Sequence, residues 1–118
     1  MEINEYQFEA MKTDPLYRGG FSRKFDSERL LEGLMGLNGE AGEAIDILKK
    51  HMFQGHALDV EHMALELGDV AWYLALCADA LGYELEDILK MNIDKLRKRY
   101  PDAHFDKERS INRREDDI

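Results

Sequence analysis

Apolar residues recur along most of this chain at spacings of three and four, the period that gathers them on one side of an α-helix. The longest such stretch carries Leu30, Leu31, Leu34, Met35, Leu37, Ala41, Ala44, Ile45 and Leu48. It predicts a helix that starts from a cap at Asp26 or Ser27 and runs to about Met52. A second stretch, with Met63, Leu67, Val70 and Leu74, predicts a helix capped by Asp59 and ending near Leu81, with Gly82 as the residue that closes it. A shorter helix is expected from about Ile3 to Lys12, with Ile3, Tyr6, Phe8 and Met11 as packing residues, before Thr13-Asp14-Pro15 breaks it. Another covers about Glu84 to Arg99 and stops at Pro101, with Lys95, Arg97, Lys98 and Arg99 in its last turns, where cations suit the helix dipole. Residues 15–26, with Gly19-Gly20, and residues 53–58 read as connectors. No stretch alternates like a strand, so the fold class is all-α: a helical bundle of about four main helices in a single domain spanning 1–118, with 101–118 as a charged tail.

Two features of the long helix ask for neighbours. Gly33, Gly36, Gly39 and Gly42 sit inside it, although an interior glycine costs up to about 1 kcal/mol relative to alanine. Either another helix or a ligand approaches that face closely, or the helix is bent. The apolar stripes of the two long helices are also too broad for one antiparallel pair to cover. A second subunit completing the core is expected, in a homo-oligomer.

Composition narrows the partners. Charged residues make up 35% of the 118, with a formal net charge of −9. A nucleic-acid backbone binder would show a basic face instead, so no nucleic acid is expected. Cys77 is the only cysteine and lies in the apolar run VAWYLALCADAL, where it reads as a small buried hydrophobe. The N-terminal MEINEYQFEA has no signal-peptide pattern, and the longest apolar run, Val70 to Ala78, is too short to span a bilayer. A cytoplasmic protein with no membrane partner is the expectation.

The chemistry-bearing residues are carboxylates. Glu40 and Glu43 stand three apart on the first long helix, and Glu66 and Asp69 three apart on the second, so each pair shares a helix face. Both pairs border the apolar stripe. Buried there without compensation they would be very unfavourable, whereas divalent cations would neutralise them. Surface ion pairs with Lys49 or Lys50 are the plainer alternative. A di-iron site would need Glu-x-x-His on two helices, which is absent, and no Cys/His cluster supports zinc. All-oxygen ligation favours Mg²⁺, with Mn²⁺ possible, and Mg²⁺ commonly binds substrate phosphates as well. Asn92, Lys95 and Arg99, at i, i+3 and i+7, offer a stripe suited to phosphate oxygens. Trp72 could stack on a base, but at helical spacing beside Leu76 it reads first as core or subunit interface. His51, His62 and His104 read as surface residues.

GEAGEAIDILKK, ELGDVAWYLALCADALG and NIDKLRKRYP, in that order, resemble the motifs of the MazG-like all-α nucleoside triphosphate pyrophosphohydrolases. EYQFEAMKT and FDKERSINR resemble the flanks of its short single-domain members. The resemblance implies Mg²⁺-dependent hydrolysis of a nucleoside or deoxynucleoside triphosphate to the monophosphate and pyrophosphate. It implies Glu40, Glu43, Glu66 and Asp69 as metal ligands or positioners of water, with Glu40 or Glu43 as the group that activates it. It makes Asn92, Lys95 and Arg99 nucleotide or phosphate contacts, places Tyr73 near the substrate, and implies a dimer or tetramer. Two alternatives stand beside it: a non-catalytic helical dimerisation or nucleotide-sensing module of the same fold, and a related phosphoribosyl-ATP-type pyrophosphohydrolase.

Overall fold

Asp26 closes the first turn of the longest helix through its carboxylate, which accepts the Arg29 N–H at 3.1 Å, and the helix runs Ser27–Phe53. A computed structural model of the chain describes residues 1–17 and 24–113, so the expected Gly19-Gly20 loop lies outside the described residues. Among the described residues five helices occur in order: α1 Ile3–Met11, α2 Ser27–Phe53, α3 Val60–Ala80, α4 Leu85–Arg99 and α5 Lys107–Ile111. Among the described residues there is no strand, and the all-α expectation holds. The chain divides into a unit of Met1–Leu85 and a second one that begins at Glu86.

In the first unit α2 and α3 pack as an antiparallel pair. Two of the four α2 glycines explain how closely they approach. A Cβ on Gly33 would come 2.6 Å from Cys77 Sγ, and one on Gly36 would overlap the Tyr73 ring. Gly39 and Gly42 meet nothing within 4 Å. Glycine therefore serves helix contact in the first half of α2 only.

α3 starts from Asp59, whose carboxylate accepts the His62 N–H at 2.9 Å. It ends in a Schellman closure: Gly82, at φ +82°, donates to Asp79 O, and Tyr83 N–H donates to Ala78 O. Ala75, Leu76, Cys77, Ala78 and Ala80, all buried, occupy this C-terminal half of α3. A charged triad secures the same end. Arg29 on α2 donates to Asp14 Oδ2 at 2.9 Å and Asp79 Oδ2 at 2.6 Å, joining the turn after α1 to α2 and α3. Burial alone would lower the guanidinium pKa, but the Asp79 and Asp14 hydrogen bonds outweigh it and hold it up.

α1 is anchored by a polar residue that hydrophobic periodicity overlooks. Gln7 is buried because its amide is fully used: Nε2 donates to Ala75 O and Tyr83 O, each at 3.3 Å, while Oε1 accepts the Leu85 N–H at 2.8 Å. Met11 packs inward as expected, at 2% exposure. Phe8 and Ile3 do not, being 54% and 39% exposed. The buried stripe of α1 is Gln7, Ala10 and Met11, because the amide follows the backbone groups at the α3–α4 turn.

The far halves of the pair are different. Ile45, Met52 and Phe53 on α2, with Val60, Leu65 and Leu67 on α3, are exposed apolar residues within the single chain. The second unit is described by itself. Asp106 caps α5 through the Arg109 N–H at 3.1 Å, so the charged tail contains a short helix that periodicity alone did not suggest. Tyr100 and Phe105 stack at 5.5 Å between α4 and α5.

Candidate active site

Antiparallel packing in the register set by Gly33 and Gly36 brings the next turns of α2 opposite the preceding turns of α3. Glu40 and Glu43 thereby meet Glu66: one carboxylate oxygen from each lies within 4.8 Å of the others. The sequence placed Asp69 in the same set. Its carboxylate does not join that trio, but its charge acts on Glu40, and it lines a cleft of about 300 Å³ with Glu40, Trp72 and Tyr73. Glu40 and Glu66 are half-buried, while Glu43 and Asp69 are exposed.

This arrangement is electrostatically incomplete. Oε2 of Glu40 and Oε2 of Glu66 are both out of solvent contact with no hydrogen-bond partner. As ionised carboxylates neither can donate, so only a proton or a cation between them relieves the contact. Without a cation, a proton shared with Glu66 would do so up to about pH 7. The hydrogen bond with Glu66 is the largest cause raising the Glu40 pKa to about 7, followed by desolvation and the charges of Glu43, Asp69 and Glu66. The ion-pair alternative fails on geometry, since Lys49 and Lys50 both pair with Asp46, at 3.1 and 2.9 Å. Orphaned oxygens and an all-carboxylate donor set fit a hard divalent cation.

The surroundings contain residues that the sequence cast first as surface, core or packing positions. His62, one turn before Glu66, lies 3.2 Å from Glu66 Oε1 through Nε2, leaving the other oxygen free to face Glu40. Their i, i+4 spacing was a readable signal. Trp72 meets Tyr73 edge to face at 4.9 Å and 83°. Its indole N–H donates to Thr13 Oγ1 at 2.8 Å and Ala10 O at 3.2 Å, so α1 reaches the cleft wall. Tyr6, on the same stripe of α1 as Ala10 and Thr13, has its phenol pKa raised by burial and then by the Asp69 charge. Those links cross from α1 to α3 between residues about sixty apart in the chain, and no local pattern announces them.

Tyr73 lines the cleft with Glu40 and Asp69. Asn92, Lys95 and Arg99 lie in the second unit, on α4 at the expected spacing, with Lys95 and Arg99 half-buried and Asn92 exposed. The Arg99 guanidinium sits 6.0 Å from the Tyr100 ring centre. Among the described residues no helix is long and apolar enough to cross a membrane.

The family model of the MazG nucleotide pyrophosphohydrolase domain matches residues 26–104, which include both carboxylate pairs and the α4 stripe. The chain is also similar to the Gene 37 protein of Mycobacterium phage L5, 35% identical over 107 residues, covering 84% of this chain and 89% of that one. No solved structure matches.

Proposed function

Since the chain belongs to the MazG nucleotide pyrophosphohydrolase family, we propose that it hydrolyses nucleoside or deoxynucleoside triphosphates to the monophosphate and pyrophosphate, with Mg²⁺ as its natural cofactor and Mn²⁺ able to replace it. The observation that carries this reading is the meeting of Glu40, Glu43 and Glu66 with two buried, partnerless oxygens. An acidic trio of that kind repels a polyphosphate unless a cation lies between them. Glu40, Glu43, Glu66 and Asp69 would hold the ion, and His62 would orient Glu66 for it. The bound ion supplies charge neutralisation on the phosphates and a lowered pKa for water.

The remaining chemistry belongs to the chain. A water oxygen bonds to the α-phosphorus, and the bond from that phosphorus to the oxygen bridging the β-phosphate breaks. Pyrophosphate leaves, and Glu40 or Glu43 accepts the proton that the water loses. Lys95 and Arg99 bind phosphate oxygens, Arg99 with a fork suited to two at once, and Asn92 supplies a neutral donor. Tyr73 borders the nucleotide.

The apolar halves of α2 and α3 left uncovered in one chain support a core completed by a second copy, as a dimer or tetramer acting in the cytoplasm. Light scattering tests this, and a stable monomer at micromolar concentration would contradict it. The activity is tested with a panel of nucleoside and deoxynucleoside triphosphates in Mg²⁺, separating monophosphate plus pyrophosphate from diphosphate plus orthophosphate. Release of orthophosphate would overturn attack at the α-phosphorus.

A further inference from the structure

The cleft is lined by side chains of two chemical kinds, the acidic Glu40 and Asp69 and the aromatic Trp72 and Tyr73. A nucleoside triphosphate is divided in the same way, into a charged tail that needs a cation and a flat, uncharged base. Resting on the nucleotide reading above, we propose that Trp72 is the platform on which the nucleobase stacks, and that α1, by holding its indole, sets the base preference.

Three observations support this. First, the two rings are held by separate elements. Tyr73 is seated against Gly36 of α2, where even a methyl group would overlap it, while Trp72 is bonded to Ala10 and Thr13 beyond α1. Their edge-to-face contact therefore forms a fixed right-angled corner, and a flat ring lying on one aromatic abuts the other. Second, the indole has a single polar hydrogen, and it is already used on Ala10 O and Thr13 Oγ1. It cannot read the edge of a base, so Trp72 offers only ring surface. Surface of that kind accepts any base and distinguishes them modestly, by stacking strength, which the larger ring area of a purine increases. Third, α1 and Thr13 precede residues 26–104, where the family model matches. The feature that fixes the indole thus lies outside the matched residues, which contain both carboxylate pairs.

Trp72 is the only tryptophan in the chain, so emission excited at wavelengths beyond tyrosine absorption reports on it alone. Full-length protein is titrated with the α,β-methylene analogues of dATP and dCTP, which resist cleavage at the proposed bond, and with inorganic tripolyphosphate, which has no base. Calorimetry records binding in parallel. The expected result is a change in emission with both analogues, larger for dATP, and none with tripolyphosphate. In steady-state assays Trp72→Leu should raise KM for dATP by roughly 5- to 150-fold, the range of one base-stacking contact. The ratio of kcat/KM for dATP to that for dCTP should fall toward one, and Trp72→Phe should restore most of both. Thr13→Val should alter the same ratio. Calorimetric binding of the analogues without any emission change, or an unaltered ratio in Trp72→Leu, would overturn the inference while leaving the function intact. No binding of any triphosphate to the unmodified protein would overturn the nucleotide reading, and this inference with it.

Discussion

Replacing Gly36 with alanine tests whether the α2–α3 approach that assembles the carboxylates depends on a missing side chain. In isolation the change should help, since alanine in a helix interior is favoured over glycine by about 1 kcal/mol. The structure reverses that expectation. The new Cβ would overlap three atoms of the Tyr73 ring, and carbon atoms settle about 3.5–4.0 Å apart, so the ring must retreat by roughly 1 Å or more. Trp72 abuts Tyr73 on one side, so the ring can retreat only toward the cleft. Overpacking of this kind costs about 1–3 kcal/mol, leaving Gly36→Ala neutral to about 2 kcal/mol destabilised. Gly39→Ala is the internal control. It lies one turn on in the same helix with nothing within 4 Å, and it should be stabilised by about 0.5–1 kcal/mol. Urea unfolding followed by helical circular dichroism measures both. The catalytic consequence is larger, because a displacement of about 1 Å at a reacting site can cost on the order of 100-fold. A corresponding drop in kcat/KM is expected for Gly36→Ala alone. The reasoning is refuted if Gly36→Ala gains as much stability as Gly39→Ala and retains full activity.

Three further outcomes follow from the geometry. Arg29→Met should destabilise the fold by about 3–5 kcal/mol in urea titrations, since it leaves Asp14 and Asp79 buried and unpaired; adding Asp14→Asn and Asp79→Asn should recover much of the loss. Without divalent ions, the folded state keeps the Glu40 proton up to about pH 7, whereas the unfolded chain releases it near the ordinary value of 4.5. Thermal stability should therefore decline as pH rises between those values and level off above, and Mg²⁺ should stabilise the protein most on the alkaline side, where no proton competes with it; a pH-independent melting temperature in chelator would contradict the shared proton. His62→Ala should weaken Mg²⁺ binding by roughly 10- to 100-fold, read by calorimetry, through a freed Glu66 carboxylate.

How much of this was legible in the chain differs from element to element. Asp26 and Asp59 announce the starts of α2 and α3, and Gly82 announces the end of α3, because caps are local chemistry written in one or two residues. The i, i+3 spacing placed each carboxylate pair on one helix face, and the ordered motifs gave the family. The burial of Gln7 was not legible, because its partners are backbone groups about seventy residues away. Nor was the division among the four α2 glycines: identical residues at equal spacing serve helix contact at Gly33 and Gly36 but meet open space at Gly39 and Gly42.

By itself, then, the sequence determined the four main helices, the caps of α2 and α3 and the residues able to bind a hard cation, since all of these depend on neighbours within a turn or two. Only the tertiary structure decided that Glu40, Glu43 and Glu66 converge while Asp69 stands beside them facing the cleft. It also decided that Trp72 is held from α1 rather than buried as ordinary core. The physical reason is register. Where one helix lies along another is fixed by the places at which their backbones can come close, and a one-residue code for close approach reads the same wherever it occurs, until the partner helix is in place.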